Sequence, residues 1–422
     1  MAVRDEGRLG PRGTRDAAWP AHRAGRGQMM LTRRAGLSAA LAAMATPAFA
    51  TSPPGPANIT DECESTRATH GLPAFAAAAI VKGAIVAAGA AGVRAIGRSE
   101  RVTLDDRFHI GSDTKAFTAT LAGMMVESGK LKWTSTLGEI LGAEAPGLNA
   151  QFAAVTLEQL LSHTSGIPSD NDAIYALYFS NDGFQYNMPA QRLRLLNAWK
   201  SNAPATTPGS QFHYSNLGVT LAGAMIEKVA GASWEELIVT RIFAPLGLKT
   251  AGLGPQATTG RWDAPVGHQV DDKDVPTPMP WGPAADVPPV IGPAGVAHMS
   301  VLDFARWAGW NAGQGKRGPA LVTAQTLADI HRPRISTGKL PNAAPGTPQE
   351  GQYALCWGVL KFDWAKQPLL QHSGSNSMNL AKVLVDTTAD IGVVVMTNYP
   401  GKQADAATNA MMEKLYRRYA GT

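Results

Sequence analysis

Residues 108–118 read "FHIGSDTKAFT" and contain a serine and a lysine at helical spacing. Ser112 is followed three residues later by Lys115, and residues 116–126 then carry no charged side chain. This apolar pattern predicts a buried helix that begins at Ser112 and ends at Ser128-Gly129, a typical helix stop. Because an unpaired ammonium group is costly to bury, the position of Lys115 raises the question of a chemical role.

Serine and lysine at this spacing can form a nucleophile and its base. Serine is a weak nucleophile until another group removes its proton. Positions i and i+3 share one face of a helix, and burial lowers the pKa of a lysine, so a neutral amine can take the serine proton. The pair alone is not decisive, because Ser336 and Lys339 match it in a Pro- and Gly-rich stretch where no helix is expected. A helix N-cap at Ser112 with a solvated Lys115 is the alternative interpretation.

Two further motifs follow along the chain, and a known protein family has the same motifs in the same order. Tyr214 has Asn216 two residues later in "FHYSNLG", and "LLQHSGSN" places His372 and Gly374 at the end of a predicted strand. Together with the serine and the lysine, these motifs resemble the active-site set of the serine β-lactamase and penicillin-binding superfamily. The resemblance covers roughly residues 70–400. It is to the branch that contains class C β-lactamases, serine D-Ala-D-Ala carboxypeptidases and related esterases.

The resemblance implies a catalytic role for three residues. Ser112 would be the nucleophile that forms an acyl-enzyme, and Lys115 would be its base. Tyr214 would hold or relay the proton to the leaving group and help to activate water. No cofactor and no metal ion is expected, because the other histidines lack metal-ligand spacing and the chain has two cysteines.

The resemblance also implies a substrate-binding set. Asn216 would hydrogen-bond the substrate amide, and His372 with Gly374 would belong to the strand that lines the pocket. The backbone N–H groups of Ser112 and Ser375 would form the oxyanion hole. Class C β-lactamases usually carry lysine where this chain has His372, so the grip on a substrate carboxylate is expected to be weaker and pH-dependent.

Other serine chemistries have weaker matches in the chain. Ser169-Asp170-Asn171 matches the Ser-Asp-Asn motif of class A β-lactamases, but those enzymes need a later glutamate, and none lies between Glu158 and Glu227. We therefore interpret residues 169–171 as a polar loop. The Gly-x-Ser-x-Gly elbow of α/β-hydrolases does not occur in the sequence.

Two other segments fit the Lys/His-x-Gly pattern of the third motif. His109-Ile110-Gly111 abuts the nucleophile, and Lys316-Arg317-Gly318 lies in a Gly-flanked loop, so neither is expected on a pocket strand. His163, in "LLSHTSGIP", is expected to have a structural hydrogen-bonding role.

The remaining pattern predicts an α+β fold, an α-β sandwich. Residues 75–96 are typical of a β-hairpin hinged at Lys82-Gly83, and short β-type runs recur over 352–398 before a last helix near 403–419. We expect an antiparallel sheet from the N- and C-terminal segments, flanked by helices, with a mostly helical insertion. The Pro- and Gly-rich residues 253–297 are expected to be long loops.

The predicted domain organisation is a leader with a signal peptide, residues 1–50, and a single catalytic domain, residues 51–422. In that domain the sheet region takes residues 51–111 and 294–422, and the helical region takes residues 112–293.

An export signal explains the leader. Arg33-Arg34 precedes an uncharged Ala/Leu-rich run and the small-x-small pattern Ala48-Phe49-Ala50, which a signal peptidase cuts. Sec and twin-arginine export both remain open, as does a start at Met29 or Met30. The protein is expected to be periplasmic or secreted, without a stable membrane anchor after cleavage.

The charge distribution limits the classes of partner that the protein is expected to bind, and the cysteine content limits the possible disulfides. Eight of the 38 basic and three of the 33 acidic residues lie in residues 1–34, so residues 51–422 are formally neutral and offer no case for nucleic acid. A small-molecule or cell-wall peptide substrate is expected, and the oligomeric state is not defined. Cys63 and Cys356 could pair in an oxidising compartment, but two free or buried thiols are the simpler expectation.

The sequence thus predicts an exported serine acyl-transfer hydrolase. It would open an amide, lactam or ester carbonyl through a Ser112 acyl-enzyme, as a D-Ala-D-Ala carboxypeptidase or a β-lactamase does. A promiscuous esterase of small esters and a non-catalytic penicillin-binding-like protein are the alternatives.

Overall fold

A computed structural model describes residues 55–180, 187–273, 275–339 and 343–421. Residues 54–422 form one compact unit. The expected signal peptide, residues 1–50, lies outside the described residues and stays a prediction. In the described ranges, none of the helices combines the length and the apolar character needed to cross a membrane.

N-terminal and C-terminal strands meet in one large sheet, which confirms the expected architecture. The strands of the described residues, numbered along the chain, are β1 (Ala57–Asn58), β2 (Ala74–Val81), β3 (Ala84–Gly92), β4 (Arg107–His109), β5 (Gly252–Leu253), β6 (Gly267–Val270), β7 (Pro276–Met279), β8 (Ala297–Ser300), β9 (Ile335–Ser336), β10 (Gln352–Tyr353), β11 (Gly358–Leu360), β12 (Leu369–Gly374), β13 (Leu380–Asp386) and β14 (Ile391–Thr397). The large sheet has the order β1-β3-β2-β14-β13-β12-β11-β10-β9. Its neighbours are antiparallel except β1 and β3, which are parallel.

In sequence order, most helices lie between the N-terminal and the C-terminal strands of the large sheet. In the described residues they are α1 (Thr60–Thr69), α2 (Thr114–Glu127), α3 (Leu137–Leu141), α4 (Ala150–Ala153), α5 (Leu157–Leu161), α6 (Asp172–Tyr178), α7 (Met188–Trp199), α8 (Asn216–Ala230), α9 (Trp234–Ile238), α10 (Gly292–Gly295), α11 (Val301–Ala312), α12 (Ala324–His331) and α13 (Lys402–Tyr419). The helix predicted from Ser112 is therefore present as α2, after one 3-10 turn over Gly111–Asp113.

The sheet is buried on both faces. On β2, Phe75 and Ala77 pack in a core with residues of α1 and α13, whereas Ala76 and Ala78 pack in a larger core with residues of α2, α8 and α11. Two buried faces explain why β2 is a continuous apolar run instead of an alternating one. The predicted hairpin is confirmed, and its two turn residues, Lys82 and Gly83, both have positive φ, as a tight two-residue turn requires.

The two cysteines lie in different cores. Cys63 belongs to the core beside α1 and α13, and Cys356 belongs to the core beside α2. Both are free and buried, and burial raises the pKa of each thiol to about 12. The expectation of two buried thiols is confirmed.

Residues 253–297 are not only loops, so that expectation is wrong in part. β6 and β7 form an antiparallel pair in this segment, with His268 opposite Pro278, and α10 lies near its end. The strands are four residues long, and β7 contains Pro276 and Pro278, which are rare inside strands. Such short, proline-bearing strands leave no clear period in the sequence.

Candidate active site

The nucleophile turn joins β4 to α2. Ser112 is partly exposed, while the Lys115 side chain on the next turn is fully buried. Thr114 closes the turn, because its hydroxyl donates to the carbonyl of Gly111 at 2.6 Å and accepts the N–H of Ala297 at 3.1 Å. The structure therefore excludes the alternative of a solvated lysine at this helix start.

Three oxygens surround the Lys115 amine. Nζ lies 2.8 Å from Ser112 Oγ, 2.6 Å from Asn216 Oδ1 and 2.7 Å from the carbonyl oxygen of Ala294. The Ala294 carbonyl comes from α10, which approaches α8 closely at Gly223. A Cβ on that glycine would lie 2.4 Å from Cγ of Pro293.

These partners direct the lone pair of a neutral Lys115 amine. A neutral amine has two N–H groups and one lone pair, whereas the Ala294 and Asn216 oxygens can only accept. Both N–H groups are then used, and the lone pair faces the hydroxyl of Ser112. Burial lowers the pKa of Lys115 to about 7, which makes the neutral amine available near neutral pH.

Tyr214 completes the group around the nucleophile. Its hydroxyl hydrogen-bonds Ser112, and its ring centroid lies 4.8 Å from Lys115 Nζ. Burial raises the pKa of the Tyr214 hydroxyl far above its usual range, so the side chain is a neutral phenol. It can pass a proton on, but it is not a phenolate base.

His163 contacts the segment that carries Tyr214 through a backbone hydrogen bond and through its ring. Its Nδ1 accepts the backbone N–H of Ser215 at 3.1 Å, and its ring centroid lies 4.3 Å from that of Tyr214. Burial lowers the pKa of His163 well below its usual value, so the imidazole is neutral. The predicted structural role of His163 is confirmed.

Asp170 fixes the orientation of Asn216. Asn216 Nδ2 donates to Asp170 Oδ2 at 2.7 Å, and the Tyr178 hydroxyl donates to Asp170 Oδ1 at 3.1 Å. A carboxylate accepts only, so Oδ1 of Asn216 must face Lys115. The Ser-Asp-Asn segment is a loop, as expected, but its aspartate touches the site, which sequence analysis missed.

The backbone of the third motif, His372 to Gly374, packs directly against the backbone of the nucleophile turn. A Cβ on Gly374 would lie 1.8 Å from the carbonyl oxygen of Ile110, and one on Gly111 would lie 2.3 Å from the nitrogen of Ser375. Glycine is required at both positions because no side chain fits between the segments. The N–H groups of Ser112 and Ser375 thus belong to adjacent segments at one edge of the site.

His372, on β12, is buried, and its ring centroid lies 6.5 Å from that of Tyr214. Its Nε2 lies 2.9 Å from the Tyr353 hydroxyl, and its Nδ1 lies 3.4 Å from Oδ1 of Asp113. Burial lowers the pKa of His372 to about 3 and raises the pKa of Asp113 well above its usual value. Burial thus favours the neutral imidazole in the ligand-free protein, and the pH-dependent grip of His372 on a substrate carboxylate stays a prediction.

The competing motifs supply neither the nucleophile pair nor the strand of the third motif. Ser336 ends β9, so Ser336 and Lys339 share no helix face. Arg317, inside the second Lys/His-x-Gly match, pairs with Asp390 at a surface turn. His109, in the first match, is fully buried and accepts the N–H of Gly111 at its Nδ1, 3.0 Å away.

Comparison with known proteins gives one family. The family model described as Beta-lactamase matches residues 59–416. Penicillin-binding protein 4 of Amycolatopsis lactamdurans is 26% identical over 340 residues, which cover 79% of this chain and 83% of that protein. Unguisins hydrolase ungD of Aspergillus violaceofuscus is 25% identical over 327 residues, which cover 73% of this chain. The match covers 55% of the length of that hydrolase.

Solved structures share the fold. A structure described as an octameric penicillin-binding protein homologue from Pyrococcus abyssi has a TM-score of 0.68 at 25% identity, covering 86% of this chain and 78% of that one. A D-stereospecific amidohydrolase from Streptomyces sp. has a TM-score of 0.63 at 21% identity, covering 86% of this chain and 98% of that one.

Proposed function

The chain belongs to the beta-lactamase family, and we propose that it is an exported serine acyl-transfer hydrolase that works through a Ser112 acyl-enzyme. One observation carries the proposal. Lys115 Nζ lies 2.6 Å from Asn216 Oδ1 and 2.7 Å from the Ala294 carbonyl oxygen, which can only accept, and 2.8 Å from Ser112 Oγ. Relatives named as a hydrolase and as a penicillin-binding protein support the same chemical class.

The proposed acylation step uses the three residues in turn. Neutral Lys115 takes the proton of Ser112 as Oγ attacks the carbonyl carbon of the substrate. The N–H groups of Ser112 and Ser375 stabilise the negative oxygen of the tetrahedral intermediate. The Tyr214 phenol then relays the proton to the leaving group as the acyl bond breaks.

Deacylation repeats the route with water. Water gives one proton to the Lys115 and Tyr214 pair and attacks the Ser112 ester. The product acid leaves, and the proton returns to Ser112 Oγ. Asp170 and Asn216 keep the amine in place during both steps, because they fix one of its two acceptors.

The substrate carbonyl is an amide, a lactam or an ester. D-Ala-D-Ala peptides and β-lactams both carry a carboxylate beside the scissile bond, and the neutral His372 offers no cation to bind it. This observation favours the second candidate, a small-ester esterase of the same fold, over an efficient β-lactamase. The export signal predicted in residues 31–50 supports a cell-wall peptide as the other candidate substrate.

A substrate panel tests the proposal. Wild type and Ser112→Ala are assayed with an acyl-D-Ala-D-Ala peptide, nitrocefin and p-nitrophenyl esters. We expect turnover of at least one class by wild type and none above background by Ser112→Ala. Equal rates for the two proteins on every substrate would contradict the proposal and favour a non-catalytic binding protein.

The export part of the proposal has its own test. Residues 31–50 found on the secreted protein by mass spectrometry would contradict the cleaved export signal.

A further inference from the structure

A single buried carboxylate connects the two segments that carry the oxyanion-hole donors. Asp286 lies in the segment before α10 and is 9% exposed. Its Oδ1 lies 2.9 Å from Nε2 of His109, accepts the Asn376 Nδ2 hydrogen at 3.1 Å and accepts the N–H of Val287 at 2.7 Å. Sequence motifs gave no signal for this residue.

The first connection runs to the nucleophile turn. His109 Nδ1 accepts the N–H of Gly111, so that nitrogen carries no proton, and we assign the ring proton to Nε2, which contacts Asp286 Oδ1 at 2.9 Å without the alignment of a hydrogen bond. Gly111 has a φ of 49° and directly precedes Ser112. The imidazole therefore fixes the peptide that aims the Ser112 N–H.

The second connection runs to the end of β12. Asn376 follows Ser375 and is 4% exposed. Its Oδ1 accepts the N–H of Met378 at 3.3 Å and a hydrogen from Asn379 Nδ2 at 2.9 Å, which leaves Nδ2 for Asp286. The hydrogen bond from Asn376 to Asp286 therefore restrains the residue next to Ser375, and with it the position of the Ser375 N–H.

We propose that Asp286 is a positioning residue that holds the N–H groups of Ser112 and Ser375 at the spacing a tetrahedral oxyanion needs. The inference rests on the proposed function, because the oxyanion hole belongs to that mechanism. Asp286 does not touch the substrate; it acts through His109 on one donor segment and through Asn376 on the other. Donors of this kind act on the transition state more than on the bound substrate, so their displacement lowers kcat and leaves KM nearly unchanged.

Kinetics of graded variants test this proposal with a p-nitrophenyl ester that wild type hydrolyses. We expect Asp286→Ala to lower kcat by roughly 10²-fold with KM within about threefold of wild type, the size seen when one oxyanion donor is lost. Asp286→Asn keeps an oxygen at the Oδ1 position and is expected to recover most of that loss. His109→Asn keeps an acceptor for the Gly111 N–H but loses the connection to Asp286, and is expected to give an intermediate loss.

The buried Asp303 provides the matched control. It accepts from Thr250 and Arg306 and contacts none of the site residues named above. Asp303→Ala is expected to lower Tm with kcat unchanged. Asp286→Ala with wild-type kcat, a loss confined to KM, or an equal kcat loss in Asp303→Ala would overturn the proposal.

A second measurement does not depend on activity. In ¹⁵N spectra of protein labelled at histidine and glycine, His109 is expected to carry its proton on Nε2 in wild type, and its signals and the Gly111 amide signal are expected to move in Asp286→Asn. Unchanged signals, or a proton on Nδ1 in wild type, would overturn the positioning role even if no substrate is found. If Asp286→Ala does not fold, His109→Asn carries the kinetic test and Asp286→Asn carries the spectroscopic one.

Discussion

Lys115 Nζ lies 2.6 Å from Asn216 Oδ1, and this contact determines what the amine can do. The Asn216 oxygen and the Ala294 carbonyl take the two N–H groups of a neutral amine, so the lone pair faces Ser112. A protonated Lys115 has a third N–H in place of the lone pair and cannot take the serine proton.

The acid limb of the pH profile reports this protonation. Because burial lowers the pKa of Lys115 to about 7, kcat/KM should be full above pH 8 and fall about tenfold per unit well below pH 7. Ester hydrolysis measured from pH 5 to 9, with the Ser112→Ala rate subtracted, gives the curve. A kcat/KM that stays constant from pH 8 down to pH 5 would show that Lys115 is not the base.

Asp170→Asn should move this limb to lower pH. The Asp170 carboxylate raises the pKa of Lys115, so its removal lowers that pKa by a few tenths to about one unit. Maximal activity should also fall, because Asp170 accepts from both Asn216 and Tyr178, whereas an asparagine has one accepting oxygen for the two donors. Asp172→Asn, an exposed change two residues away, is the control and should leave the limb in place. A shift to higher pH would contradict this assignment.

His372→Gln should leave the shape of the pH profile unchanged from pH 5 to 9. Burial holds the pKa of His372 near 3, so the imidazole is already neutral over that range. The rate itself should drop, because the contact with Tyr353 is altered. Loss of a titration between pH 6 and 7 in this variant would show that His372 is charged in the active enzyme.

Gly374→Ala should disable the site without unfolding the protein. The new Cβ would meet the Ile110 carbonyl at 1.8 Å, which forces β12 away from the nucleophile turn and separates the two oxyanion donors. We expect a loss in kcat of roughly 10²-fold or more, read by ester hydrolysis beside a thermal melt. Gly55→Ala, where a Cβ meets no atom within 4 Å, serves as the control. A Gly374→Ala enzyme with wild-type kcat would mean that the two segments need not touch.

Local patterns made part of the fold and site predictable. Ser112 and Lys115 share a helix face, and the hairpin at Lys82-Gly83 has a turn signal between two apolar runs, so both are encoded within a few residues. The sheet from both chain ends followed from the change of period in the C-terminal part.

The remaining site features depend on long-range contacts. The Ala294 carbonyl has no sequence signature, and Asp286 lies in a stretch whose short proline-bearing strands show no period. The third motif predicts that the His372 side chain reaches the substrate. In the structure β12 is buried except at Ser373, and the His372 ring is held in the interior beside Tyr353 and Tyr214.

The most direct test of the central claim is the mass of the protein after reaction with a fluorophosphonate and, separately, with a penicillin. The account predicts one adduct per chain with at least one of these reagents, located on the peptide that contains Ser112 and absent from Ser112→Ala. An adduct on another residue, or no adduct with either reagent on folded wild-type protein, would contradict the Ser112 acyl-enzyme.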